Sequence, residues 1–141
     1  MGSAHLEYPL DKTMRMRLLE QFPPRYADIK ADHVTISLHQ PDTMPQAQDI
    51  SIVGRADSGD GLEAMVVSVD GDALRADGRP YHITWSLNPE KYRARDSGSL
   101  IERFAAAGRI EYFETPIALG PSRAIWIEET QEGQKSAPSG P

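Results

Sequence analysis

The pattern of apolar and polar positions divides the chain into helical and extended segments. Leu10, Met14 and Leu18, with Leu19 and Phe22, recur near a spacing of 3.6 and predict a helix over 11–22. Asp11 is its N-cap and Pro23-Pro24 its stop. Residues 33–38, 50–56, 62–69 and 82–87 alternate with period two and are rich in β-branched side chains, so they predict strands. The cluster Asp57-Ser58-Gly59-Asp60-Gly61 makes a β-hairpin of the middle two. Gln40 to Gln48 reads as a polar loop. Turns at Asp70-Gly71-Asp72 and Ala76-Asp77-Gly78-Arg79-Pro80 bracket a short extended piece, and Asn88 to Arg95 is a loop. Leu100, Ile101, Phe104 and Ala105 form the apolar face of a second helix, capped by Ser97 or Ser99, running to about Ala107 and stopped by Gly108. Short strands follow over 110–113, 115–119 and 123–128, separated by Pro116 and Gly120-Pro121. Residues 1–9 and 130–141 are expected to be flexible ends around one domain spanning 10–129. The order helix, strand, hairpin, strand, helix, strands predicts an α+β domain of two related, pseudo-symmetric lobes, with central antiparallel strands and outer helices.

Two of the strands are near copies. His33-Val34-Thr35-Ile36-Ser37-Leu38 and, 49 positions on, His82-Ile83-Thr84-Trp85-Ser86-Leu87 both read H-x-T-x-S-L. Successive strand side chains point to opposite faces. His33, Thr35 and Ser37 therefore share one face, and His82, Thr84 and Ser86 the matching face of the other copy. Val34, Ile36, Leu38, Ile83, Trp85 and Leu87 point to the core. The two polar faces are expected to meet at one cleft, with the strands side by side across a pseudo-two-fold.

Composition narrows the classes. A chain of 141 residues, 39% hydrophobic and 26% charged, suits one globular domain. It has no cysteine, which removes disulfides, thiolate metal sites and a Cys nucleophile, and fits a cytoplasmic setting. No apolar run is long enough to span a membrane and no secretory signal is visible. The net charge of −6 argues against binding long duplex nucleic acid, which rests on neutralising many phosphates, while leaving room for a small anion in a locally basic pocket. Arg15, Arg17 and Arg25 around the first helix read as a solvated face.

Two histidines in one cleft supply proton transfer in both directions, because an imidazole titrates near neutrality. In cleaving a phosphodiester, one neutral ring takes a proton and the other, protonated, gives one to the departing oxygen, each contributing on the order of 10²–10⁴ in rate. The hydroxyls of Thr35 and Thr84 lie ~6.6 Å of backbone along and can donate to the non-bridging oxygens. Only four histidines occur in the chain, and two in the same H-x-T setting is a coincidence on the order of one in a thousand. A metal is not expected. Hydroxyls are poor ligands for a soft metal, and no carboxylate shares the motif faces, since Asp32 points away by parity. Further substrate contacts are sought at Ser37 and Ser86, at Tyr26, Tyr81, Tyr92 and Phe113 for base stacking, and at Lys91, Arg93 and Arg95 for phosphate. Tyr81 and Trp85 fall on the core side, His39 reads as exposed, and His5 lies in the flexible start.

The paired H-x-T strands resemble the two-histidine (2H) phosphoesterase superfamily, which includes RNA 2′,3′-cyclic phosphodiesterases, the so-called 2′-5′ RNA ligases and small nucleotide phosphodiesterases. The resemblance spans 5–129, with only the two motifs specific, and the chain is short for that family. The stretch from Asn88 to Leu100, with a Ser before the second helix, looks like the RNA-repair-related branch. The resemblance implies a bilobal α+β fold and metal-free hydrolysis without fixing the substrate; the expectation is a cofactor-free phosphodiesterase acting on a 2′,3′-cyclic phosphate or a related cyclic or 2′-5′ linkage of a small nucleotide or RNA end. It also implies catalysis by His33, Thr35, His82 and Thr84. A monomer is expected. The alternative is a non-catalytic nucleotide- or RNA-end-binding module that keeps the pocket; a ligase or cyclising activity is a weaker third reading.

Overall fold

The computed structural model describes residues 4–129 and 135–136. In chain order the elements are β1 (Ala4–Pro9), α1 (Lys12–Gln21), β2 (Asp28–Ile29), β3 (His33–Ser37), β4 (Gln46–Asp57), β5 (Leu62–Val69), β6 (His82–Leu87), α2 (Ser97–Ala106), β7 (Glu111–Arg123), β8 (Ile125–Glu129) and β9 (Lys135–Ser136), with a single helical turn at Ala94–Asp96 before α2. The fold is α+β. Its strands form two antiparallel sheets, ordered β3-β1-β8-β9 and β2-β6-β5-β4-β7, and neither closes into a barrel. No helix among the described residues is long and apolar enough to cross a membrane.

The five-stranded sheet is covered on both faces, which is why β5 is buried along almost its whole length. Met65, Val67, Ile83 and Trp85 pack in a first core with Leu6, Tyr8 and Trp126 of the other sheet and Leu18 of α1. Leu62, Ala64 and Val66 point the opposite way and pack on Leu100, Ile101 and Phe104 of α2. Asp11 caps α1 as expected, its carboxylate accepting from the Met14 N–H. The residue before α2 is Asp96, not Ser97 or Ser99, and its side chain accepts from the Arg93 N–H instead of capping the helix.

Three expectations of order and extent are corrected. Residues 4–9 are not a flexible end: β1 is an inner strand paired with both β3 and β8. Its sequence alternates His5-Leu6-Glu7-Tyr8, with Leu6 and Tyr8 in the core. The three short strands expected over 110–128 are a long β7 followed by β8. Pro116 is accommodated because β7 is an edge strand and its pairing with β4 lapses between Tyr112 and Ile117. Finally, β4 starts at Gln46, since Gln46 and Ala47 find partners in Arg123 and Ser122, so part of the polar loop is strand. Of the expected C-terminal tail, Lys135–Ser136 pair with β8 as β9, and the remainder lies outside the described residues.

Candidate functional site

The two H-x-T strands lie in different sheets and adjoin without pairing. β3 bonds to β1, whereas β6 bonds to β5 and β2. The segment leading into β3 runs along β6, where Lys30 and Ala31 donate to the carbonyls of Trp85 and Thr84, so one motif is delivered directly beside the other. Between them opens a cleft of about 630 Å³ whose lining includes His33, Thr35, His82 and Thr84. All four residues singled out for catalysis are therefore brought together.

Parity holds as far as the threonine and then fails, at the same place in both copies. In β3 the register passes from Glu7↔Thr35 to Leu6↔Ser37, leaving Ile36 as an extra residue. In β6 it passes from Ala64↔Thr84 to Glu63↔Ser86, leaving Trp85 as the extra residue. A bulge of this kind reverses the alternation beyond it. Ser37 and Ser86 consequently leave the cleft face. Ser86 is fully buried and donates to Glu63 at 2.8 Å, and Ser37 accepts from the His39 N–H. Leu38, expected in the core, is 63% exposed and lines the cleft, while Leu87 joins the second core. His39 is exposed, as expected.

Of the expected binding residues outside the motifs, only Arg95 lines the cleft. The Tyr26 hydroxyl donates to Asp57 at 2.7 Å, and burial together with that carboxylate pushes its pKa up to about 12. Tyr92 and Lys91 are both held by Asp60, each at 2.7 Å. Arg93 folds onto the carbonyls of Pro89 and Tyr92. Phe113 stacks on Phe22, and Tyr81 packs against the first core. No Phe, Tyr or Trp lines the cleft among the described residues, so base stacking is not a feature of its walls.

Cations occur instead. Lys30, Arg75 and Arg79 join Arg95 in the lining. For Lys30 and Arg79 the signal was in the sequence: Lys30 precedes His33 by three positions, as Arg79 precedes His82, so the repeat reads [K/R]-x-x-H-x-T-x-S-L. Arg75 is only 9% exposed in its side chain and is anchored by Asp77. Arg79 lies over Gly98 of α2, where an added Cβ would come within 2.5 Å of its guanidinium, and is steadied by Glu102 at 3.5 Å.

The two imidazoles have different surroundings. His82 faces the Pro80 carbonyl with Nδ1 at 3.0 Å, so Nδ1 carries the proton and Nε2 keeps its lone pair. Burial lowers its pKa below the ordinary 6.5; the positive fields of Arg75, His33 and Arg79 act in the same direction, against the Pro80 hydrogen bond. His33 faces carboxylates, with Nδ1 3.0 Å from Asp32 and 3.4 Å from Glu7, while Nε2 lies 3.0 Å from the Thr35 hydroxyl. The expectation that no carboxylate shares the motif faces is thus overturned: Asp32 bends back to its neighbour and lines the cleft, and Glu7 arrives from β1, opposite Thr35. The Thr84 hydroxyl is shared with Ser97 of α2 at 2.8 Å and lies 3.2 Å from the Ala94 carbonyl.

His5, Glu7 and His33 gather donor atoms within 4.8 Å, the one such group among the described residues that offers a metal three ligands. Its rings suit hydrogen bonding better. A metal ~2 Å from both nitrogens must lie near both ring planes. The His5 and His33 rings are stacked at 4.8 Å and inclined by 25°, so their planes meet far from either nitrogen.

Comparison with known proteins finds no match to this chain among protein-family models, curated proteins or solved structures.

Proposed function

We propose that the chain is a metal-independent phosphodiesterase that opens a 2′,3′-cyclic phosphate, or hydrolyses a related cyclic or 2′-5′ phosphodiester, on a nucleotide or RNA end. The observation that carries this reading is the meeting of both His-Thr pairs in one cleft with four cationic side chains. The pair environments divide the labour. His82, held neutral with a free Nε2, accepts a proton from water as the water oxygen attacks phosphorus. The acid role then falls to His33, whose Nε2 proton passes to the departing ribose oxygen as the P–O bond breaks. Thr35 and Thr84 donate to the non-bridging oxygens, and Arg75 and Arg95 offset the charge that builds there. The products are a phosphomonoester and a free hydroxyl.

The test is a panel of cyclic mono- and dinucleotides, 2′-5′ dinucleotides and RNA ends, read by product mass and the position of the remaining phosphate. Activity is expected to survive EDTA, and His33→Ala or His82→Ala to lower kcat by on the order of 10²–10⁴. Full turnover by either variant on every substrate defeats the reading. Tight nucleotide binding without turnover by the wild type shows a binding module instead.

A further inference from the structure

β1 contributes no residue to the H-x-T repeat, yet two of its polar side chains are buried beside the cleft. His5 is 8% exposed and Glu7 only 2%. A carboxylate so stripped of water persists where N–H groups replace the lost hydration. Glu7 Oε1 accepts a hydrogen bond from His5 Nε2 at 2.7 Å and makes a longer ion-pair contact with His33 Nδ1 at 3.4 Å. The His5 ring lies against the His33 ring, centroids 4.8 Å apart. One buried oxygen thus lies between two stacked imidazoles, both of which line the cleft, His33 being the one bonded to Thr35. Asp32 also reaches His33 Nδ1, but its side chain is 49% exposed, so the buried pair is the rigid part of the support.

We propose that His5 and Glu7 are positioning residues for His33. The inference rests on the reading of the cleft as a phosphodiesterase site. Asp32 accepts the His33 Nδ1–H at 3.0 Å, the buried Glu7 charge 3.4 Å away adds to it in keeping a proton on Nδ1, and His5, itself locked by Glu7, is the wall that fixes the ring plane. A neutral imidazole carries one N–H, so committing it to Nδ1 reserves Nε2 for the proton exchanged with substrate. Groups that orient a metal-ligating histidine typically matter 10–100-fold, and the same scale is expected for orienting an acid–base histidine.

The experiment compares wild type with Glu7→Gln, His5→Ala and His5→Phe, the last restoring a stacking face without the bond to Glu7. Two readouts are taken: kcat and KM on the best substrate, and the ¹⁵N–¹H NMR pattern of the His33 imidazole at about pH 8.5, where neutral rings dominate. Glu7→Gln and His5→Ala are expected to lower kcat about 10–100-fold with KM within about twofold. His5→Phe recovers part of the loss. His33 shows a single Nδ1-protonated form in the wild type and, with the Asp32 bond remaining, a measurable minority of the Nε2-protonated form in Glu7→Gln. A kcat within twofold in both Glu7→Gln and His5→Ala overturns the proposal, and so does an Nε2-protonated His33 in the wild type. If Glu7→Gln fails to fold, an unchanged His33 pattern in His5→Ala overturns it equally. If no substrate is turned over by the wild type, the phosphodiesterase reading fails while the NMR pattern still decides the positioning role.

Discussion

The two histidines occupy equivalent places in the repeat and inequivalent places in the molecule. His82 is desolvated and faces a peptide carbonyl, and Arg75 and Arg79 add positive field. Its folded pKa is below 6.5, so in the window beneath pH 6.5 the unfolded chain binds the proton that the folded chain refuses. This contribution to stability is present above pH 6.5 and is lost as the pH falls. The same shift keeps a His82 base competent in mild acid. We expect the acid limb of the kcat/KM profile to have its midpoint below pH 6.5, and Arg75→Gln to move it upward by removing a cation that opposes protonation. A midpoint at or above 6.5 in the wild type, or no upward movement in Arg75→Gln, contradicts this electrostatic account. At this scale the site was legible where chemistry follows from local alternation: His33, Thr35, His82 and Thr84 share the cleft as parity requires. It was illegible beyond the threonines, because the bulges at Ile36 and Trp85 are fixed by partner strands and reverse the face of Ser37 and Ser86. Glu7 was missed for the same reason. Its meeting with His33 depends on β1 pairing with a strand some thirty positions away.

Among the elements, β4 and β7 show how a close approach constrains sequence. Gly54 sits at a register slip that β4 shows against both of its neighbours, opposite Tyr112. A Cβ there would lie 2.8 Å from the Glu111 carbonyl oxygen, a backbone atom that cannot swing aside. Replacing glycine by alanine usually stabilises by about 0.4–1 kcal/mol where the conformation is compatible. Gly54→Ala is instead expected to destabilise by about 1–3 kcal/mol, the usual cost of overpacking, measured by urea unfolding. A stabilised variant shows that the two strands have room to part. The helices and the β4–β5 hairpin were readable because their signals lie within about twenty residues: the apolar spacing around Leu18 and around Phe104, and the Asp-Gly turn cluster. β1 and β7 were not read correctly because their evidence is pairing with distant strands. The alternation in His5-Leu6-Glu7-Tyr8 was present but short, and Pro116 reads as a break unless the strand is known to be an edge.

Across the whole molecule, charge is distributed against its average. The chain carries a net −6, yet Lys30, Arg75, Arg79 and Arg95 are gathered on one cleft. Placing like charges together opposes folding through mutual repulsion, and each of the first three is steadied by a carboxylate: Asp28 for Lys30, Asp77 for Arg75 and Glu102 for Arg79. The Arg75 side chain is only 9% exposed and built into the wall, whereas Lys30 and Arg79 are 41% and 46% exposed in their side chains and occupy matching places in the repeat. An arrangement with one partly exposed cation upstream of each histidine suits a ligand bearing anionic groups on both sides of the reacting phosphate. Lys30→Gln and Arg79→Gln are each expected to raise KM by about 1.4- to fivefold for an oligonucleotide substrate, since partly exposed ion contacts contribute about 0.2–1 kcal/mol. For a mononucleoside cyclic phosphate, which has no flanking phosphate, KM should change less than for the oligomer. The double variant should also flatten the salt dependence of KM, because fewer counterions are displaced on binding. Gly98→Ala offers a second route to the same comparison: the new methyl displaces the Arg79 guanidinium while removing no charge. It is expected to resemble Arg79→Gln in KM and to leave kcat nearly unchanged. Equal losses on mononucleotide and oligonucleotide in all three variants would place these cations on the reacting phosphate itself and rule out flanking contacts.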